Sequence, residues 1–203
     1  MINVLMKLCT WVLRIAQINF LVVVGTLCGG IVFGVFPAVF SGIMLFSLML
    51  EESVDEPIIK NYINMYKKVF LSGNKYGYLY LLVFMTGFSN VLFYNNISSA
   101  GPAFFAKIVL LFIFCLIISV MTFTLPTAID YKMTVKGAAR LFLFGISKFQ
   151  LVILTIFSIV FQGLFLLFFT GADLFLLFGL YCMSTALINR LFSKSIAFAE
   201  NNH

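Results

Sequence analysis

From Ile15 to Leu50 the chain runs for 36 residues without a charge, interrupted near the middle by Gly29-Gly30 and then by Gly34 and Pro37. One straight helix of that length would reach roughly 54 Å, against a hydrocarbon core of about 30 Å. The stretch therefore predicts two apolar legs, Ile15–Gly29 and Ile31–Leu50, joined as a helical hairpin. Four more uncharged stretches follow, Tyr76–Tyr94, Ile108–Ile129, Phe149–Ala172 and Leu174–Asn189. The last is short, and a snorkelling Arg190 would let Leu191 and Phe192 extend it. Gly171 as a helix C-cap and Asp173 as the next N-cap predict a tight turn before it. The predicted fold is all-α, a polytopic transmembrane bundle of about six helices whose first two form a Gly/Pro-interrupted hairpin, within one integral membrane domain over residues 1–203.

The polar connections have patterns of their own. Ser53-Val54-Asp55-Glu56 has the form of a capping box, and Pro57 suits a first helical turn. Beyond it, Lys60, Asn61, Asn64, Lys67 and Lys68 fill one helical arc, while Ile58, Ile59, Tyr62, Ile63, Met65, Tyr66, Val69 and Phe70 fall in the other. This predicts an amphipathic helix over about 54–72, lying at the cytoplasmic interface, where its basic face would attract anionic headgroups or an acidic partner. A second segment, Asp130–Lys148, spaces Lys132, Lys136 and Arg140 by four, so that a helix there would carry a short basic stripe.

Composition fixes the class: 63% of residues are hydrophobic, 10% are charged and the mean hydropathy is +1.12, which marks an integral membrane protein without room for a sizeable soluble domain. A cleaved signal peptide fits poorly, because the apolar run after Arg14 outlasts an h-region and meets no small-x-small site. Leu27 ahead of Cys28 likewise argues against a lipoprotein site. The four cysteines, Cys9, Cys28, Cys115 and Cys182, lie in or beside apolar runs without C-x-x-C spacing and read as small hydrophobes. The one histidine is His203, at the end of the chain, which leaves no basis for histidine acid–base or metal chemistry.

With the N-terminus in the cytoplasm and six crossings, twelve of the 13 lysines and arginines fall on one side, and Lys107 is the exception. That is the positive-inside pattern, and it predicts a bacterial cell-membrane protein with both termini cytoplasmic and the Gly29-Gly30 turn outside. A re-entrant first hairpin would keep the same parity.

Candidate functional residues are few. Gly25, Gly29, Gly30, Gly34, Ala38 and Gly42 place small residues at four-residue intervals around Pro37, a spacing that lets helices approach closely, either inside the bundle or against a partner. Lys60, Lys67, Lys68, Lys132, Lys136 and Arg140 form a candidate cytoplasmic interface. Ionisable residues inside the apolar stretches would mark an ion path, and almost none are found. Neutral amides at Asn19, Asn90 and Gln162 could line a polar site, although interhelical hydrogen bonding is the better account of them. Phosphate-binding, nucleophile-elbow and metal-cluster motifs are missing from the sequence, so no enzymatic activity, cofactor or nucleic-acid partner is expected.

Trp11, Asn19 with its apolar run, Gly29, Phe33-Gly34, Phe36-Pro37-Ala38, Tyr62, Tyr66-Lys67-Lys68-Val69-Phe70 and Leu125-Pro126 occur in an order that resembles the YesL-like family of bacterial integral membrane proteins, a family named for unknown function. The likeness covers most of the chain and is strongest over residues 1–75. It departs after the second apolar leg, where Glu51-Glu52 stand in place of basic residues. The resemblance implies an accessory role in sugar uptake, with permease subunits of a carbohydrate ABC importer as partners beside the lipid bilayer. It supplies no catalytic residues. The alternatives are a channel or facilitator for a small neutral solute, lined by the three amides, and a membrane sensor or assembly factor.

Overall fold

The computed structural model describes residues 2–51, 57–95, 102–168 and 173–200. All of its regular structure there is helical: α1 (Ile2–Cys28), α2 (Val35–Glu51), α3 (Ile58–Asn95), α4 (Pro102–Asp130), α5 (Val135–Ser147), α6 (Phe149–Phe168) and α7 (Asp173–Glu200). Two of these contain spans long and apolar enough to cross a membrane, Cys9–Cys28 and Ile108–Asp130. A third is gained if α5 and α6, which meet at 88° across Lys148, are counted as one broken span. Residues Val35–Leu50 of α2 form a shorter apolar helix.

The expected hairpin is present. Helix α1 ends because Gly30, at φ 73°, turns the chain left-handed, so that its N–H bonds Leu27 O at 3.0 Å and the Ile31 N–H bonds Thr26 O at 2.9 Å. These paired bonds satisfy carbonyls that a helix end otherwise leaves bare. Ile31 follows with φ 59°, an uncommon conformation for a β-branched residue. Helix α2 then starts with Pro37 in its first turn, where a missing N–H costs little. It returns along α1: Gly25 faces Ala38, and Gly42 faces Ile18 and Val22.

Every residue of α2 from Phe40 to Phe46 is buried, which leaves the helix no polar or lipid-facing side there. It is enclosed by α1, α3, α4 and α7 and anchors a core containing Ile18, Val22, Leu45, Phe46, Val69 and Cys182. A second core forms where α4, α5, α6 and α7 meet, with Phe123 and Phe192 edge to face at 5.0 Å between centroids and Leu141, Val152 and Ile188 around them. Helix α7 contributes to both.

Two expectations about the connections change. From Ile58 on, the amphipathic segment and the crossing over Tyr76–Tyr94 are one continuous 38-residue helix, α3. No proline divides them, and Gly73 is used for close packing, being pressed against Val69, Pro37 and Phe40. The Asp130–Lys148 segment is not one helix: it turns at residues 131–132 and restarts under an N-cap in which the Thr134 hydroxyl accepts the Gly137 N–H. Lys132 therefore stands in the turn, at φ 49°, while Lys136 and Arg140 remain exposed on α5. The capping box at Ser53–Glu56 and the turn residue Gly171 lie outside the described residues.

Candidate functional site

The tyrosines of α3 hold the tip of the hairpin. Tyr66 donates its hydroxyl to Gly25 O at 2.9 Å, Tyr62 to Ala38 O at 3.2 Å and Tyr78 to Val32 O at 3.3 Å. The rings add contact: Tyr78 meets Phe33 and Phe36 edge to face, and Tyr62 stacks on Tyr66. Between these anchors, Tyr76 donates to Met133 O at 3.1 Å and so ties α3 to the turn after α4. Loss of the hydroxyl in Tyr66→Phe should cost about 1 kcal/mol, read as a lowered thermal unfolding midpoint in detergent; an unchanged midpoint would show that the ring alone holds the tip.

This clamp brings the hairpin turn beside the basic half of α3. Tyr66 and Tyr78 bracket Lys67, Lys68 and Lys75 in sequence, and both bond the hairpin tip directly. A bilayer core of about 30 Å cannot separate groups in hydrogen-bond contact. The Gly29–Gly34 turn and the basic half of α3 therefore share one face of the molecule.

The small-residue series is placed against its own chain. A Cβ at Gly25 would lie 2.7 Å from the Tyr62 hydroxyl, Gly29 and Gly34 abut each other, Ala38 is fully buried and Gly42 meets Cys182 and Val22. Pro37 touches Gly73 of α3. Only Gly30, of this series, faces open space.

Asn19 and Gln162 lie in different helix seams. Asn19, buried in the α1–α7 seam, accepts the Gly179 N–H at 3.2 Å, while Gln162 bridges α6 to α7, donating to Ser184 at 2.9 Å and to Ser158 at 3.2 Å. Asn90 lies on α3, with its side chain outside the described residues. Thr122 and Thr124 donate to carbonyls one turn back in their own helix.

Polar and charged side chains gather elsewhere, in a cavity of about 260 Å³ where α2, α3, α4 and α7 meet. Ser47 comes from α2, Lys68 from α3, Thr127 and Asp130 from α4, and Asn189, Arg190 and Ser193 from α7. Thr127 Oγ1 lies 3.0 Å from Phe123 O and 2.5 Å from the Asn189 amide oxygen. One hydroxyl proton serves one acceptor, and both approaches are satisfied when the Asn189 amide turns its NH₂ toward Thr127. Two cations and one carboxylate beside hydroxyls can bind a polar or zwitterionic group, yet the cavity holds no nucleophile with a base poised to activate it. In the sequence Asp130 and Arg190 look like ordinary flanks of apolar stretches, and only the fold brings them together.

Lys60, Lys67, Lys68, Lys132, Lys136 and Arg140 are all exposed. Lys60, Lys67 and Lys68 extend along α3, Lys136 and Arg140 lie on α5, and Lys132 marks the turn between α4 and α5. Among the described residues no three of His, Cys, Asp and Glu come together as a metal site, and the four cysteines are free thiols.

No curated protein and no solved structure matches the chain. Over residues 15–91, which take in the hairpin and most of α3, the chain is similar to a family described as proteins of unknown function, DUF624.

Proposed function

We propose that this is a non-enzymatic, multi-pass protein of a bacterial cell membrane that acts as an accessory subunit of a carbohydrate ABC importer. The importer as partner comes from the YesL-like resemblance, which is strongest over residues 1–75, and the DUF624 match falls across the same part of the chain. Cytoplasmic termini are supported by Lys7 and Arg14 near one end and Arg190 and Lys194 near the other, under the positive-inside rule. The six apolar stretches supply the membrane-embedded helices of this reading, the first two as a hairpin whose tip stays on the face of the α3 lysines.

One observation favours a subunit over a channel. Asn19 and Gln162, two of the three amides expected to line a path for a neutral solute, each close a different helix seam by hydrogen bonding within the bundle. A solute path would have to break those seams, whereas a protein that works through its outer surface keeps them shut.

The test is purification of the tagged full-length chain in mild detergent, with mass spectrometry against an unrelated membrane bait. A permease subunit of a carbohydrate importer should be enriched at least several-fold, and its absence would overturn the proposal. Flux of a neutral solute through the purified protein in liposomes would favour the channel instead.

A further inference from the structure

A cavity of about 210 Å³ separate from the mixed-charge one opens beside the turn after α4, and Lys68, Lys75 and Lys132 all line it. No carboxylate is among its lining residues; Asp130 lines the neighbouring cavity, and Lys68 reaches both. Ser72 adds a hydroxyl, while Val69, Ala128 and Ile129 provide an apolar floor. Three like charges brought together from two separate elements repel one another unless an anion lies among them. We infer that this cavity binds a phosphate group carried by a membrane lipid, the lysines holding the headgroup and α3 receiving its acyl chain.

Two observations besides the charge point this way. One and two turns beyond Lys75 on the same face of α3, Leu79 and Leu82 are exposed at 48% and 64%, so apolar surface rises directly from the cationic mouth. An amphiphile fits that sequence of surfaces better than a free ion, which has no use for the leucines. The second is the backbone at Lys132. Its N–H bonds Ile129 O at 3.1 Å and the Met133 N–H bonds Ala128 O at 2.9 Å, a helix-ending turn in which the left-handed position usually holds glycine. A lysine at φ 49° bears a backbone cost that glycine would avoid, and what it adds in return is a cation at the cavity.

Native mass spectrometry of the full-length protein, with phosphatidylglycerol or phosphatidylcholine added to the detergent, tests the assignment. Phosphatidylglycerol should be retained preferentially, and the paired substitution Lys75→Gln/Lys132→Gln should weaken its binding about tenfold or more. Lys60→Gln/Lys67→Gln removes the same charge from α3 outside the cavity and should change binding less than threefold. The pair Lys75→Arg/Lys132→Arg should restore it, which separates loss of charge from loss of fold. Equal weakening by both glutamine pairs, or by neither, would overturn the site. Retention of millimolar inorganic phosphate with no lipid retained would keep the phosphate pocket but overturn the lipid as its occupant; phosphatidylglycerol retained in the presence of millimolar phosphate would support the lipid.

Discussion

Gly34→Ala is expected to lower the thermal unfolding midpoint of the detergent-solubilised protein far more than Gly30→Ala, by an amount equivalent to about 3 kcal/mol. A Cβ at Gly34 would run into the carbonyl of Thr26, and the obstacle is backbone, not the end of a pliant side chain. Nor can Thr26 yield cheaply, because its carbonyl accepts the Ile31 N–H that ends α1. The new methyl must therefore push apart α1 and α2, and α2 is enclosed by three further helices. Gly30→Ala makes the contrast. Nothing lies within 4 Å of its added carbon, and only the left-handed φ of 73° opposes it, for about 1 kcal/mol. Gly137→Ala, whose Cβ would make ordinary contact with Met133 at 3.4 Å, should stabilise by about 0.5 kcal/mol by favouring the first turn of α5. Equal losses at Gly34 and Gly30 would mean that the hairpin relaxes around the added carbon, and the close approach would then carry no energetic weight.

The second large effect is all-or-none. In a background with Cys9, Cys28, Cys115 and Cys182 replaced, Gly30→Cys and Lys67→Cys should be labelled by a membrane-impermeant maleimide from the same side of the membrane. Both positions are exposed, and the space around Gly30 admits the reagent. The expectation follows from the Tyr66 hydroxyl on Gly25 O, with Lys67 the next residue along α3. Labelling from opposite sides would put the bilayer between two segments that the tyrosine clamp joins, and would restore the hairpin to two full crossings.

How much of this was legible in the sequence depended on the range of the interaction. The hairpin was readable because Gly30 and Pro37 act locally, one by its φ and the other by its missing N–H. The fusion of the amphipathic segment with the next apolar stretch was not, since Ser72-Gly73-Asn74 resembles a break until Pro37 and Phe40 are seen to need the missing side chain of Gly73. The four-residue spacing of Lys132, Lys136 and Arg140 suggested one stripe, where the chain in fact turns at Lys132. The polar cavity could not be read at all. Lys68, Asp130 and Arg190 come from three helices, and nothing near any of them in the chain signals the others. Asn19 shows the same limit, because the group it bonds, the Gly179 N–H, lies 160 residues away.

That separation bears on how the protein is made. The enclosed helix α2 is made before α7, yet α7 is one wall of its socket and meets it through Cys182 and Val39, 143 residues apart. Until α7 is made, α2 must wait beside lipid or the insertion machinery with an unfinished surface. Final closure belongs to the moment when α7 arrives, so the socket of a helix in the hairpin is completed by a segment made 143 residues later.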